Sequence, residues 1–231
     1  IILSDTPGIL WPKLEPMSCG YRLAVTGAVR DTAMEYEVVA LYTTHVANEV
    51  PFQVTPIAVV QMQADLAGLP LITIELPTVF PANNEYQSLV VTGLKECGTE
   101  FDAVAFGDMF CNGIVEYRKS YIEAAGWECV FPLVGQSSRE LAEEIISCGI
   151  KTILVTTDGT QLDNQFCGQE YTMQLLSDLP MQVDPCGEDG EFHTLVIEAP
   201  CFHGSIELSS TTIDEQERFT HLRYQASVLQ K

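Results

Sequence analysis

The residues with the most chemistry to offer lie in one short run, Asp184-Pro185-Cys186-Gly187-Glu188-Asp189-Gly190-Glu191-Phe192-His193-Thr194. Glycines adopt backbone angles that other residues resist, so Gly187 and Gly190 permit tight turns and close approach of a ligand. Glu188 and Glu191 can then point at one spot, and paired carboxylates suit an amine, a metal ion or a proton transfer. His193 can act as an acid or a base, or it can pack beside Phe192. Cys186 has no neighbouring cation in sequence to lower its pKa, which favours a spectator thiol over a reactive one. The plain alternative for the whole run is a solvated acidic turn ahead of a strand at Leu195-Val196-Ile197.

Such residues need a frame. Val38–Thr44 is a short β-branched apolar run of the kind found in buried parallel strands. A helix from Pro56 to Ala67 follows, with the proline in its first turn. Leu71–Leu76 is the next strand, and Asn83 or Asn84 caps a helix to about Cys97. Ala103–Phe106 is a further strand ending at Gly107-Asp108, before a helix over Tyr117–Ala125 and a strand over Glu128–Phe131. This alternation predicts an α/β, Rossmann-like parallel sheet with helices on both faces. Ligands in such sheets bind at the carboxyl ends of strands. Thr43, Thr44, Gly107 and Asp108 all sit at such ends, although Asp108 is equally readable as a loop residue or helix cap. Arg118 can meet a phosphate or form a surface ion pair.

The remainder reads as a smaller C-terminal α+β lobe. Ser137 or Ser138 caps a helix to Ser147, with Gly149 at its end. Lys151–Thr156 is a strand, 158–168 a polar loop and Glu170–Leu179 a helix. Cys201–Leu208 and Phe219–Leu229 suit a hairpin or an edge strand.

Composition narrows the function classes. The chain has 231 residues and is 46% hydrophobic, enough for a proper core. Its net charge of -21 argues against general binding to nucleic acid or anionic membrane, which needs clustered Lys and Arg. No apolar run is long enough to span a bilayer and no secretory signal is visible, so a cytoplasmic protein is expected. Ile1 rather than Met opens the sequence, so the natural start is expected upstream. The 8 cysteines include no Cys-x-x-Cys pair, which argues for free thiols and against a zinc ribbon, and no protein metal site is expected.

Gly187–Thr194 resembles the late signature of the ATP-binding family that includes diphthine–ammonia ligase. Four earlier pieces match in order: Val38–Thr44, Gln63–Leu71, Ala105–Phe110 and Phe131–Gly135. The resemblance runs over about 38–208. It implies an ATP pyrophosphatase fold with ATP and Mg2+ as cofactors. It also implies attack of a small-molecule or protein carboxylate on the α-phosphate, release of pyrophosphate, and displacement of AMP by ammonia. By that resemblance Glu188, Glu191 and His193 are catalytic, while Thr43, Thr44, Gly107 and Asp108 bind nucleotide. Arg118, Gly187, Gly190 and Thr194 bind substrate, and a homodimer is left open. The family's Ser-Gly-Gly-Lys-Asp-Ser phosphate loop is missing. The nearest string, Gly27-Ala28-Val29-Arg30-Asp31-Thr32, puts Cβ atoms where backbone N–H groups should close on phosphate.

The opening residues carry a different likeness. Ser4–Lys13, Tyr21–Ala28 and Arg30–Glu37 resemble circularly permuted GTPases of large-subunit ribosome assembly, in which Asp5 would lie near magnesium and Gly8 near the γ-phosphate. The GTPase phosphate loop and guanine-reading motif are absent. Three segments are therefore expected: 1–37 as a GTPase-like fragment, 38–135 as a nucleotide-binding-like domain, and 136–231 as a substrate lobe. The functional expectation is an amide ligase impaired by its missing loop. The alternatives are a non-catalytic nucleotide- or metabolite-binding domain and a ribosome-assembly GTPase fragment.

Overall fold

The computed structural model describes residues 1–4, 37–110 and 113–230. A five-stranded parallel sheet has the order β5-β2-β1-β6-β7. Its strands are β1 (Ile2–Ser4), β2 (Ala40–His45), β5 (Leu71–Glu75), β6 (Ala103–Ala105) and β7 (Glu128–Val130). The parallel sheet and the strands read from the sequence are present, and Gly107 and Asp108 follow β6 at its carboxyl edge.

The central strand is one that sequence patterning passed over. Ile2–Ser4 pairs with β2 on one side and β6 on the other, and Ile2 is completely buried. Only three residues long, it is too short for a periodicity signal. The chain order therefore reverses at β1, which puts the topological switch point between the carboxyl ends of β1 and β6.

The helices follow local chemistry. Helix α1 (Ile57–Ala67) starts directly after Pro56 and ends at Gly68 in a left-handed conformation. Helix α2 (Asn83–Glu96) packs on β5, and α3 (Ile114–Ile122) starts earlier than read from sequence and finishes in a 3-10 turn at Glu123–Ala125. Helix α4 (Ser138–Ser147) is capped by Ser137, whose Oγ accepts from the Glu140 amide, and α5 is a short Met173–Asp178 turn.

The C-terminal lobe is an antiparallel sheet of order β10-β11-β8-β9. It comprises β8 (Lys151–Asp158), β9 (Phe192–Glu198), β10 (Gly204–Glu215) and β11 (Phe219–Gln230). A small hairpin, β3 (Glu49–Val50) with β4 (Thr55–Pro56), leads from β2 into α1. No described helix is long and apolar enough to cross a membrane.

One apolar cluster runs through both sheets. Leu3, Leu41 and Ala105 of the parallel sheet share it with Leu195, Val196 and Leu222 of the antiparallel one, and Ala64 and Ala67 of α1 belong to it too. Gln63 adds a polar tie, its Nε2 donating to Val196 O at 2.8 Å. Leu195→Ala should therefore cost about 2–5 kcal/mol, the usual range for emptying a buried Leu site. Native-state hydrogen exchange should speed up at Leu41 as well as in β9. Faster exchange confined to the antiparallel sheet would mean that the cluster does not couple the two.

Candidate functional site

The run 184–194 closes into a loop that holds itself together. Asp184 Oδ1 accepts from the amides of Cys186 at 2.8 Å and Glu188 at 3.3 Å. Glu191 is only 2% exposed. Its Oε1 accepts from the Asp184 amide at 2.6 Å and its Oε2 from the Asp189 amide at 3.0 Å. A carboxylate taking two backbone N–H groups makes strong charge-assisted bonds. Glu191 thus staples the loop, and its carboxylate faces backbone rather than cavity. Gly187 has φ 73°, and a Cβ there would stand 2.7 Å from Phe192 O, so both conformation and space demand glycine.

Asp158, at the end of β8, braces the loop from the other side. Its amide donates to Glu191 O at 2.8 Å. Its carboxylate accepts from Thr160, Gln161 and the Arg218 guanidinium, the last at 2.7 Å. Arg218, followed by Thr160 and Gln161, outweighs burial and holds this carboxyl well below the usual range.

Beside the loop lies a cavity of about 220 Å³. Cys186, Gly187, Glu188, Gly190, His193 and Thr194 line it. Gln53, Thr152 and Tyr171 complete the polar lining. The β8–β9 pairing shifts register between Leu154 and Thr156, opposite His193 and Thr194, and such bulges re-aim side chains. The Tyr171 hydroxyl donates to Pro185 O, fixing the far side of the loop.

Burial sets the electrostatics here. It pushes Glu188 up to about 7, with Asp184 and Asp108 adding and the Met109 amide opposing. It pushes His193 down to about 4, with His221 adding, so His193 is neutral at pH 7. It raises the Cys186 thiol, with Asp184 and Glu188 adding, which makes this an inert cysteine.

The strand-end residues form an adjoining edge. Thr43 and Thr44 occupy the last turns of pairing between β2 and β5, Thr43 buried and Thr44 half-buried. Nothing lies within 4 Å of the position a Gly107 Cβ would take, so the backbone there is open to a ligand. Asp108 pairs with Arg118 at 3.3 Å. The same guanidinium donates to the Tyr86 and Tyr121 hydroxyls and lies 4.7 Å over the Phe106 ring. Glu188 joins the two regions, since it accepts from the Met109 amide and feels the Asp108 charge.

Glu188, Gly187, Gly190, His193 and Thr194 therefore share one cavity, with Gly107 and Asp108 beside it through Met109. Thr43, Thr44 and Arg118 are not in its lining. Asp5, Gly8 and the Gly27–Thr32 string lie outside the described residues. Sequence reading missed Gln53, Thr152, Tyr171 and Asp158. None of these carries a motif, and Asp158 was absorbed into a polar loop.

The architecture is that of an α/β Rossmann-like protein whose antiparallel C-terminal lobe sets an acidic, Gly-rich loop against the sheet's switch point. Residues 137–228 match the family described as Diphthamide synthase C-terminal domain, and they hold α4, the signature loop and the antiparallel sheet. A stretch of 40 residues is 58% identical to Ribosome biogenesis GTPase A of Priestia megaterium, covering 17% of this chain and 14% of that protein. The corresponding match to Ribosome biogenesis GTPase A of Bacillus cereus is 55% identical over 40 residues. The chain thus spans 14% of the length of these curated relatives.

Two variants test the geometry. Glu191→Gln turns an amide N–H toward one of two buried backbone donors, and should cost about 1–3 kcal/mol, read as a clear drop in melting temperature. An unchanged melt would mean that the staple is not structural. Burial raises Glu188 from an ordinary 4.5 to about 7 in the folded chain. Between those values the folded state holds the extra proton, so stability contributed by protonated Glu188 is lost as pH rises through that window. Glu188→Gln cannot ionise and should gain on wild type from about pH 5 to about pH 8, by up to roughly 3 kcal/mol. Denaturant midpoints at each pH give the difference, and parallel curves would refute the shift.

Proposed function

We propose that this chain carries the acceptor side of an ATP-dependent amidation of the diphthine–ammonia ligase type. One observation carries the reading: Glu188 of the signature pocket touches the loop after β6, at the sheet's switch point. A pocket for the group being amidated then abuts the place where open α/β sheets take a nucleotide. The match of residues 137–228 to the diphthamide synthase C-terminal domain supports the same assignment.

The described residues at the edge fit a nucleotide in part. Gly107 offers open backbone, and the two threonines offer hydroxyls. Bound ATP with Mg2+ would supply the activation that lets ammonia displace an oxygen from a carboxylate. The protein's own part is to orient the reactants and handle a proton. Ammonia arrives mostly as ammonium and must lose a proton to be nucleophilic. Glu188, titrating near neutrality, takes that proton on its carboxylate as a general base. Neutral His193 offers a second acceptor in the same cavity. With the Ser-Gly-Gly-Lys-Asp-Ser loop missing from the sequence, turnover is slow.

Chromatography of Mg-ATP incubated with the protein, ammonium chloride and a panel of carboxylates tests this. Slow, ammonium-dependent formation of AMP and pyrophosphate is the expected result, reduced further in Glu188→Gln. Formation of ADP and phosphate, or rates indifferent to ammonium, would overturn the reading. No turnover, together with saturable ligand binding in the pocket, would assign a non-catalytic binding domain instead.

A further inference from the structure

Two loops leave neighbouring strands of the parallel sheet at its carboxyl edge. Strands β2 and β5 pair from Leu41 with Leu71 to His45 with Glu75. Where they part, the Leu76 amide donates to His45 O at 2.8 Å. Beyond that point a groove of about 500 Å³ opens, with Val46, Ala47, Leu76, Pro77 and Leu89 of α2 as its apolar lining. It shares no residue with the signature cavity, and it lies on the far side of β2 from the switch point.

The same two loops hold apolar side chains out in water. Phe80 is 80% exposed, Phe52 46% and Val79 40%. The Phe52 and Phe80 rings meet with their centroids 5.1 Å apart, so the β3–β4 hairpin and the loop after β5 touch there. Backbone enforces this exposure. Pro77 and Pro81 bracket Val79-Phe80, and each fixes its own φ. In the hairpin Ala47, Asn48, Phe52 and Val54 have positive φ, four of the five described non-glycine residues that do. Left-handed backbone is disfavoured for any residue with a Cβ and most of all for a β-branched one such as Val54. Strain of this kind persists where surrounding structure enforces it. Here the Thr156 hydroxyl donates to Gln53 O at 3.2 Å and pins the hairpin from within. Gln53 is buried as a result, and its neighbour Phe52 is turned outward.

Large apolar side chains held in water forgo the free energy of burial, and a cluster of them marks an interaction surface. Small molecules take enclosed pockets, whereas this groove is open to solvent and suits a macromolecule. Charge selects which kind. Glu75 and Glu85 line the groove, and neither has an ion-pair partner among the described residues. Nucleic acid and anionic membrane are repelled by such a lining. So is a second copy of this chain, which brings its own net charge of -21. A cationic protein segment is attracted.

We propose that this groove and the adjoining Phe52–Phe80 pair dock a basic amphipathic segment of a partner protein. Apolar side chains on one face of the segment pack against Phe80, Leu76 and Leu89, and flanking Lys or Arg residues meet Glu75 and Glu85. In recognition of this kind a helix lays its apolar face into a groove, with anchors spaced by one turn. Loops stiffened by proline and by enforced left-handed backbone favour it, because a surface ordered in advance loses little freedom on binding. Nothing in this surface depends on the amidation chemistry, and a docked segment leaves the signature cavity open.

The probe is a fluorescent amphipathic peptide of Leu and Lys, about four helical turns long. It is titrated into the full chain and read by anisotropy, with nuclear magnetic resonance locating the contact. The controls are a Leu-Glu peptide of the same pattern, a scrambled Leu-Lys peptide without an apolar face, and phosphatidylglycerol vesicles. The Leu-Lys peptide should saturate and shift the amide signals of Val46, Ala47, Leu76 and Leu89, and no control should do so. Phe80→Ser, which removes a mostly exposed ring, should melt as wild type does and bind the peptide at least about tenfold more weakly. Glu75→Gln combined with Glu85→Gln should weaken binding in the same direction and flatten its salt dependence, and it carries the test should Phe80→Ser not fold. Equal binding of the scrambled or Leu-Glu peptide overturns the proposal. So do shifts spread over the acidic surface away from the groove, no saturation in wild type, or unchanged affinity in the variants. Vesicle binding that Phe80→Ser abolishes would make this a membrane contact instead. A dimer in sedimentation that Phe80→Ser disperses would make it a contact between copies, and either result overturns the assignment to a basic segment.

Discussion

Helix α1 is the piece on which both sheets depend. Its small residues, Ala64 and Ala67, are fully buried in the cluster that the parallel and antiparallel sheets share. Small side chains let the helix lie close to two neighbours at once, and interior packing tolerates little change in volume at such a place. Gln63 then fixes the helix to β9 through Val196 O. Because β9 begins at Phe192, directly after the signature loop, the seating of α1 also sets where that loop stands. The same helix begins at the foot of the β3–β4 hairpin, which carries Gln53. Both walls of the cavity are thus referred to one rigid element.

Within the loop, the two glutamates have separate work. Glu191 gives both carboxylate oxygens to backbone amides and shapes the loop. Glu188, three residues earlier, is left facing the cavity and the Met109 amide. Spacing alone treats the two as a pair. Their division follows from the glycines that flank Glu188-Asp189, Gly187 at φ 73° and Gly190 at φ 81°, which turn the chain between the two carboxylates. Asp158 reinforces this by holding the Glu191 carbonyl through its own amide.

Most of the frame was legible in the sequence. Buried parallel strands are continuous apolar runs, and Val38–Thr44, Leu71–Leu76 and Ala103–Phe106 announce themselves that way. The sequence placed the cap of α4 at Ser137 or Ser138 and Pro56 in the first turn of α1; Ser137 is the cap, and Pro56 stands one residue ahead of the helix. The central strand was not, because Ile2–Ser4 is shorter than any periodicity window. Helix α5 covers only Met173–Asp178 of the longer stretch read as helical, since Thr172 caps it and Leu179 leaves the helical region. In the site, glycines and carboxylates were visible as a motif. Gln53 and Thr152 were not, because neither carries a motif and only the folded chain brings them to the cavity. Left-handed Phe52 and Val54 go against every local preference, and nothing short of the folded chain reveals them.

Glu188 gives the cavity a property beyond shape. A carboxyl pushed up to about 7 by burial and by the aspartates around it, in a lining without Lys or Arg among the described residues, readily takes up a proton that lowers the negative charge of the pocket. A cation entering it stabilises the ionised form and expels the proton. Occupancy is then an exchange of one positive charge for another, with little net charge moved into the interior. The heat of such an exchange includes the protonation of whatever buffer receives the proton, so it differs between buffers even when the affinity does not.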